Sequence, residues 1–386
     1  PEPEPEPEPA PQPDPIIKLS NNSIREQNTW DAVVATLSMD YLTDLNASIV
    51  YALGDSTAYP DNNSFIINNT TKELKSNDVI FDFKTKSEYK LLINVSNSTT
   101  FNVNYEVTIT IIQSLYGKAI DGYISGASGE LIDIETNTVI ETFTTDSFGN
   151  YTINTSIENI PAFFEIRFLP GGVDITTGKV VKLTLSNVST RKRVSDSTNK
   201  TLDITPITTI KTQLTKKKYA DTSTNTSIED VIGSSEQNIA DAFNISIESV
   251  NADYLSSNNV DVVNVNYQIQ STINTMSSVT NSGTETVTND TVFTSIINVI
   301  DNTVNNNTSV NKEVILSGDN IIDQVVADVS TSNNIVIANV ENIKSYIKAV
   351  NTSIDNIAKS SDSNTSFEDI ARQSIQITES SLEMLD

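Results

Sequence analysis

The chain reads as a multidomain protein: two all-β sandwiches of the Greek-key type followed by an α-helical bundle. Three observations predict this order. Short β-branched segments with period-2 alternation fill residues 16 to about 205. From about 206 glycine nearly vanishes and the apolar spacing changes to three and four, the helical period. A length of 386 residues suits two to four domains.

Residues 1–15, PEPEPEPEPAPQPDP, alternate proline with acid. Proline fixes φ and removes backbone donors, so this segment is expected to be an extended polyproline II linker or spacer. Residues 16–113 form the first sandwich. VVATL (33–37), SIVYAL (48–53), SFII (64–67), YKLLINV (89–95) and YEVTITII (105–112) alternate and are divided by turn residues. Residues 114–205 continue in β as a second, smaller sandwich. It holds GKAIDGYISGAS, a turn marked by Asp146 and Gly149, the run FFEIRFL and the turn PGG. Residues 206–386 form the helical region. Val336, Val340, Ile343, Ile347, Val350, Ile354 and Ile357 step by four and three along one seam. Val262, Val265, Ile269, Ile273 and Met276 form a shorter stripe, as do Phe293, Ile296, Ile300 and Val304. Ser227 and Ser366 stand where N-caps are expected, with Asp230 and Asp369 three residues on.

Composition excludes several chemistries. Net charge is −26 and the sequence pI is near 4.2, a field that repels nucleic acid and anionic lipid and draws cations. There is no cysteine and no histidine, which removes disulfides, Cys/His zinc sites and every imidazole-dependent triad. No run of 18 apolar residues is present, so no direct membrane span is expected. The sequence opens on Pro1 rather than methionine; any signal peptide or lipid anchor would lie upstream. The carboxylate pair Asp133/Glu135 could serve a glycosidase, but sugar sites want stacking aromatics and the chain has one tryptophan, Trp30. No P-loop, dinucleotide or nucleophile-elbow motif occurs. The basic clusters Arg191-Lys192-Arg193 and Lys216-Lys217-Lys218 are weighed as docking patches for an acidic polymer against solvated loops or internal ion pairs; the second reading is favoured.

The segments IIKLSNNSIREQNT, VVATLSMD, IVYAL, DNNSFII, FDFKTKSEYKLLINV and VNYEVTITI together resemble the cadherin repeat in its bacterial cadherin-like form, over about a quarter of the chain. The resemblance implies a calcium site at the domain base. Carried over by position, Glu26 matches the family's early glutamate and Asp82 the aspartate of its Leu-Asp-Arg-Glu motif, with Asp40 as a third candidate ligand. Lys84 holds the glutamate position of that motif, Asn97 stands for an aspartate, and QSLYGKA replaces the acidic linker. Ca²⁺ wants six to eight oxygens, several of them charged, so calcium here is expected to bind weakly, at about 10⁻⁴–10⁻³ M or above. GKAIDGYISGAS, TTDSFGNYTI, PGGVDITTGKVVKLTL and LDITPITTI, in that order, resemble the carboxypeptidase-regulatory-like, transthyretin-like module of large bacterial secreted proteins.

The expected function is therefore adhesion or structural presentation by a bacterial protein that is extracellular or at the cell surface, without catalysis. Its expected partners are other surface proteins or an extracellular polymer, and not nucleic acid. Two alternatives stay open: a carbohydrate-binding extracellular module array, and a scaffold held in the periplasm or at the outer membrane by a lipoprotein anchor.

Overall fold

The computed structural model describes residues 14–26, 28–41, 48–97, 101–196, 201–221, 226–256, 259–280, 287–306, 314, 316–332, 337, 339–360, 369–370, 372–374 and 376–377. Residues 1–13 of the linker expected at 1–15, the seam residue Val336 and the cap Ser366 lie outside them. The chain divides into two compact units, Pro1–Ser114 and Leu115–Asp386.

In the first unit, β1 (Ile16–Leu19), β3 (Val33–Asp40), β5 (Phe65–Asn68) and β6 (Glu73–Ser76) make one sheet in the order β1-β3-β6-β5. The strands β2 (Ser23–Arg25), β4 (Val50–Leu53), β7 (Glu88–Ser96) and β8 (Asn102–Ile112) make a second in the order β2-β8-β7-β4. All pairings are antiparallel except β2 with β8, which run parallel with Ile24 opposite Ile111. Alternation places Tyr89, Leu91, Ile93 and Val95 of β7 in the core, on the sheet face they share with Ile109 and Ile111 of β8. In β3 the buried residues Val34 and Ala35 are adjacent, because a bulge between Val33 and Ala35 shifts the register against β6. Phe65, Phe81 and Tyr89 close the core as an aromatic triangle with ring centroids 5.3, 5.7 and 4.9 Å apart. Strand β6, ELKS, carries one apolar residue and escaped the sequence pattern; its Leu74 is fully buried.

The second unit begins with β9 (Tyr116–Lys118), β10 (Ile124–Ser125), β11 (Ser128–Asp133), β12 (Thr138–Thr144), β13 (Asn150–Thr152), β14 (Phe163–Phe168), β15 (Val173–Asp174) and β16 (Leu185–Thr190). Four of them form an antiparallel sheet in the order β12-β11-β14-β16; β9 pairs with β13 and β10 with β15. Asp146 Oδ1 accepts from the amides of Phe148 and Asn150, and Gly149, at φ 80°, completes the turn between β12 and β13. The helices are α1 (Arg191–Asp196), α2 (Pro206–Asp221), α3 (Ile228–Phe243), α4 (Ile247–Val250), α5 (Val260–Thr280), α6 (Asn289–Asn306), α7 (Asp319–Ser332) and α8 (Val340–Ser360). Ser227 caps α3 by accepting from the Asp230 amide.

The segments on either side of residue 205, where the texture of the sequence changes, pack together. One hydrophobic cluster runs without a break from Leu115 through the β segment and the helices to Ile370. In this unit the four-stranded sheet has helices packed against it. On one face of β14, Phe163 packs with Val188, Ile232 of α3 and Tyr219 of α2. On the other, Phe168 meets Tyr151 of β13. A strand covered on both faces reads as a nearly continuous apolar run, which explains FFEIRF. Helix α2 is buried all around its first two turns, from Pro206 through Thr212. Three of its threonines are satisfied by backbone carbonyls: Thr209 Oγ1 donates to Thr205 O and Thr212 Oγ1 to Thr208 O, while Thr208 Oγ1 reaches Ser186 O of β16. On α8, Ile343, Ile347, Val350 and Ile354 are buried along the expected seam, and Ile357 is half-buried. No helix among the described residues is long and apolar enough to cross a membrane.

Candidate functional site

Glu26 and Asp82 meet at one end of the first unit. Glu26 leaves β2 and is buried. Its Oε1 accepts from the Ser114 amide at 2.9 Å and its Oε2 from the Phe83 amide at 3.1 Å, so one carboxylate ties the last residue of the unit to the 81–86 turn. Asp82 is exposed. Its oxygens accept from Thr85 Oγ1 at 2.7 Å and the Lys84 amide at 3.0 Å; these bonds and the Lys84 charge hold its carboxyl below the usual range. Asp40 does not join them. It ends β3 opposite Ile16 of β1 and pairs with Lys18. Asn97 also lies away from Glu26, closing the β7–β8 connection by accepting from the Phe101 amide. Among the described residues, no group of three or more histidine, cysteine, aspartate or glutamate side chains is placed to hold a metal ion. The two carboxylates at this end are bonded to protein donors, and the residues present do not fit the oxygen shell that Ca²⁺ requires.

The second unit gathers ionisable groups that sequence reading did not single out. At the C-terminal side of β9, the Lys118 ammonium pairs with Asp253 at 2.9 Å and lies over the Tyr123 ring, while the Lys118 amide donates to Asp203. Burial, reinforced by Asp253, pushes the Asp203 carboxyl up to about 6. Beyond it, Asp121 and Asp174 are both buried, and burial raises both, well above the usual range for Asp121. Gln270 of α5 donates to the carbonyl and to Oδ1 of Asp121. Asp174 accepts from the Thr176 amide and from Thr177 Oγ1, each at 2.8 Å. Gly122, at φ 84°, separates the two loops: a Cβ there would stand 2.0 Å from Asp174 Oδ1. The two sequence segments DGY and VDITTG thus converge, 53 positions apart, a juxtaposition that no local pattern announces.

The basic clusters are tied within the fold. Arg193 bonds Glu229 and Glu236, Lys216 bonds Glu165 at 2.7 Å, Lys217 bonds Asp301, and Lys218 donates to Ser234. Arg191 donates to the Glu158 carbonyl and Lys192 to Asp196. Asp133 caps the β11–β12 turn by accepting from the Glu135 amide. Lys211, only 2 % exposed, donates to Asn251 at 2.6 Å, and the Asn251 amide donates to Glu236.

Burial lowers the Lys211 ammonium to about 8 from 10.5, with Glu236 opposing the shift. Above about pH 8 the native state therefore holds fewer protons here than the unfolded chain, up to 10.5, and this residue's contribution to stability rises with pH across that window. Against Lys211→Met, the parent should gain roughly 2 kcal/mol between pH 8 and pH 9.5 in denaturant titrations. Parallel pH profiles for the two proteins would contradict a buried, titrating Lys211.

No protein-family profile matches the chain, and no curated protein matches it. Among solved structures, human protocadherin-24 EC1-2 is 15% identical over 46% of this chain and 97% of its own, with a TM-score of 0.21. The third cadherin domain of human protocadherin 7 is 13% identical over 25% of this chain and 82% of its own, at 0.19. Drosophila N-cadherin EC1-3 is 10% identical over 48% of this chain and 67% of its own, at 0.21. Scores of this size do not establish a shared fold, and the strand order described above stands on its own pairings.

Proposed function

We propose that the chain works as an extracellular or cell-surface protein of bacterial origin, in adhesion or structural presentation, and not as an enzyme. The observation that carries this reading is the sheet pairing of the first unit: β1-β3-β6-β5 facing β2-β8-β7-β4, with the N-terminal β2 parallel to the C-terminal β8. That arrangement suits a Greek-key sandwich of the cadherin-like kind, to which the segments IIKLSNNSIREQNT to VNYEVTITI also point. In this reading calcium at the base is weak or vestigial. The Glu26 carboxylate, bonded to the Ser114 and Phe83 amides, takes over the bracing that a dication would give. Absence of histidine and cysteine supports a non-catalytic role.

Two measurements test it. Antibody against the chain should label intact cells of the source, and beads coated with the full chain should cluster or adhere to those cells. Labelling only after permeabilisation would favour the anchored periplasmic scaffold. Beads that bind only a purified glycan would favour the carbohydrate-binding array. Beads that bind nothing would remove adhesion.

A further inference from the structure

We infer that the second unit closes a covalent cross-link within itself: the Lys211 amine condenses with the Asn251 carboxamide to an isopeptide bond, with Glu236 carrying the proton and ammonia leaving. The bond ties α2 to the residue that follows α4, and α3 supplies the carboxylate.

Three groups of complementary chemistry meet in the interior. Lys211 Nζ stands 2.6 Å from Asn251 Oδ1, and Asn251 Nδ2 stands 2.9 Å from Glu236 Oε1. That same carboxylate oxygen lies 3.7 Å from Lys211 Nζ. Lys211 and Glu236 are buried and Asn251 is half-buried. An ammonium only donates and a carboxylate only accepts, so the amide is held in one orientation: carbonyl against the amine, NH₂ against the acceptor. A C=O bond is about 1.2 Å long, so Asn251 Cγ lies within about 4 Å of the nitrogen that attacks it. Groups held this close, with water excluded, react far faster than the same groups free in solution.

A plain buried ion pair would be built differently. A lysine in a dry interior is expected to bond its carboxylate directly. Here the carboxylate is engaged elsewhere: Arg193 Nη1 donates to both Glu236 oxygens, at 2.9 and 3.1 Å, and Asn251 donates to Oε1. Nζ hydrogen-bonds the amide instead. Burial favours the neutral, nucleophilic amine; Glu236 opposes this and the Arg193 charge supports it.

The step balances without any further reagent. The lone pair of the neutral amine adds to Asn251 Cγ, and the C=O π pair moves onto Oδ1. The Glu236 carboxylate takes a proton from Nζ and passes it to Nδ2, which it already faces. The oxygen pair re-forms the carbonyl, the Cγ–Nδ2 bond breaks and ammonia leaves. One amine and one primary amide become one secondary amide and one ammonia; nothing is oxidised or reduced. A costly buried charge is removed, and escape of ammonia makes closure irreversible. The titration of Lys211 described above belongs to the open chain, and closure abolishes it.

The test uses the full chain. Its intact mass should fall below the sequence mass by one ammonia, and a protease digest should yield two peptides joined through Lys211 and Asn251. Lys211→Arg and Asn251→Ala should keep their full masses. Chain taken unfolded in urea from inclusion bodies and then refolded should close faster as the pH rises from about 6 to about 8, following the neutral amine, and level off above that. Glu236→Gln should close about tenfold more slowly, or slower still, with an unchanged circular dichroism spectrum. A parent at full sequence mass after standing folded at pH 8 overturns the proposal. Ammonia lost without the joined peptides, the mark of an asparagine cyclised elsewhere, overturns it equally, as does Glu236→Gln closing at the parent's rate. Should the variants fail to fold, the joined peptides from the parent decide the outcome.

Discussion

Replacing Ile347 by aspartate is expected to cost the second unit on the order of 4–5 kcal/mol, the scale of an unpaired charge forced into a core. Ile347 is 0 % exposed and sits at the middle of the α8 seam, between Ile343, Val350 and Ile354. Domain stabilities run to about 5–15 kcal/mol, so a loss of this size takes most of the margin. For a body of this length it corresponds to roughly 10 °C or more in Tm. Differential scanning calorimetry of the full chain should show the transition of the second unit displaced or lost, with that of the first unit in place. A melt of the second unit like that of the parent would show that the seam is not core.

Phe81→Ala should have the converse effect. Phe81 is fully buried and contacts the rings of both Phe65 and Tyr89. Removing a buried phenylalanine costs about 3–5 kcal/mol, through lost transfer energy and the cavity left behind. A unit of about one hundred residues loses roughly 4–8 °C for each kcal/mol, so its Tm should fall by 15 °C or more. The transition of the second unit should hold. A drop confined to one or two degrees would mean that the triangle closes over the gap without cost, contrary to a tightly packed core.

What the sequence discloses depends on how far a pattern reaches. Strand β7 and helix α8 are each buried on one face, so their periods of two and of three-to-four are printed in the residue order. Helix α2 is buried all around its first two turns, and turns with no exposed side have no stripe to read; TPITT signals its start and nothing else. Strand β6 has a single core residue, Leu74, too little for a period. The change of composition at 205 records the change from strand to helix, not which surfaces pack together. Position-by-position carry-over matched Glu26 and Asp82, with Asp40 as a third candidate; Asp40 ends β3, where Lys18 pairs with it. The pair Asp121 and Asp174 could have been suspected from two Asp-bearing turns rich in glycine and threonine. Only the fold brings them together, because contacts between residues 53 positions apart depend on every strand between them.

The parallel pairing of β2 with β8 also has a mechanical meaning. A pull applied through the chain draws β2 toward its N-terminus and β8 toward its C-terminus, so the two strands are loaded in opposite directions along their length. The bonds between them, including Glu26 N to Ile112 O at 3.0 Å and Thr110 N to Asn22 O at 2.9 Å, are sheared together rather than opened one after another. The Glu26 carboxylate adds a cross-tie at the point where tension leaves the first unit, through the Ser114 amide. Rupture under force is governed by the unfolding barrier, which rises when several bonds must fail at once. The first unit is thus built to stay folded under tension.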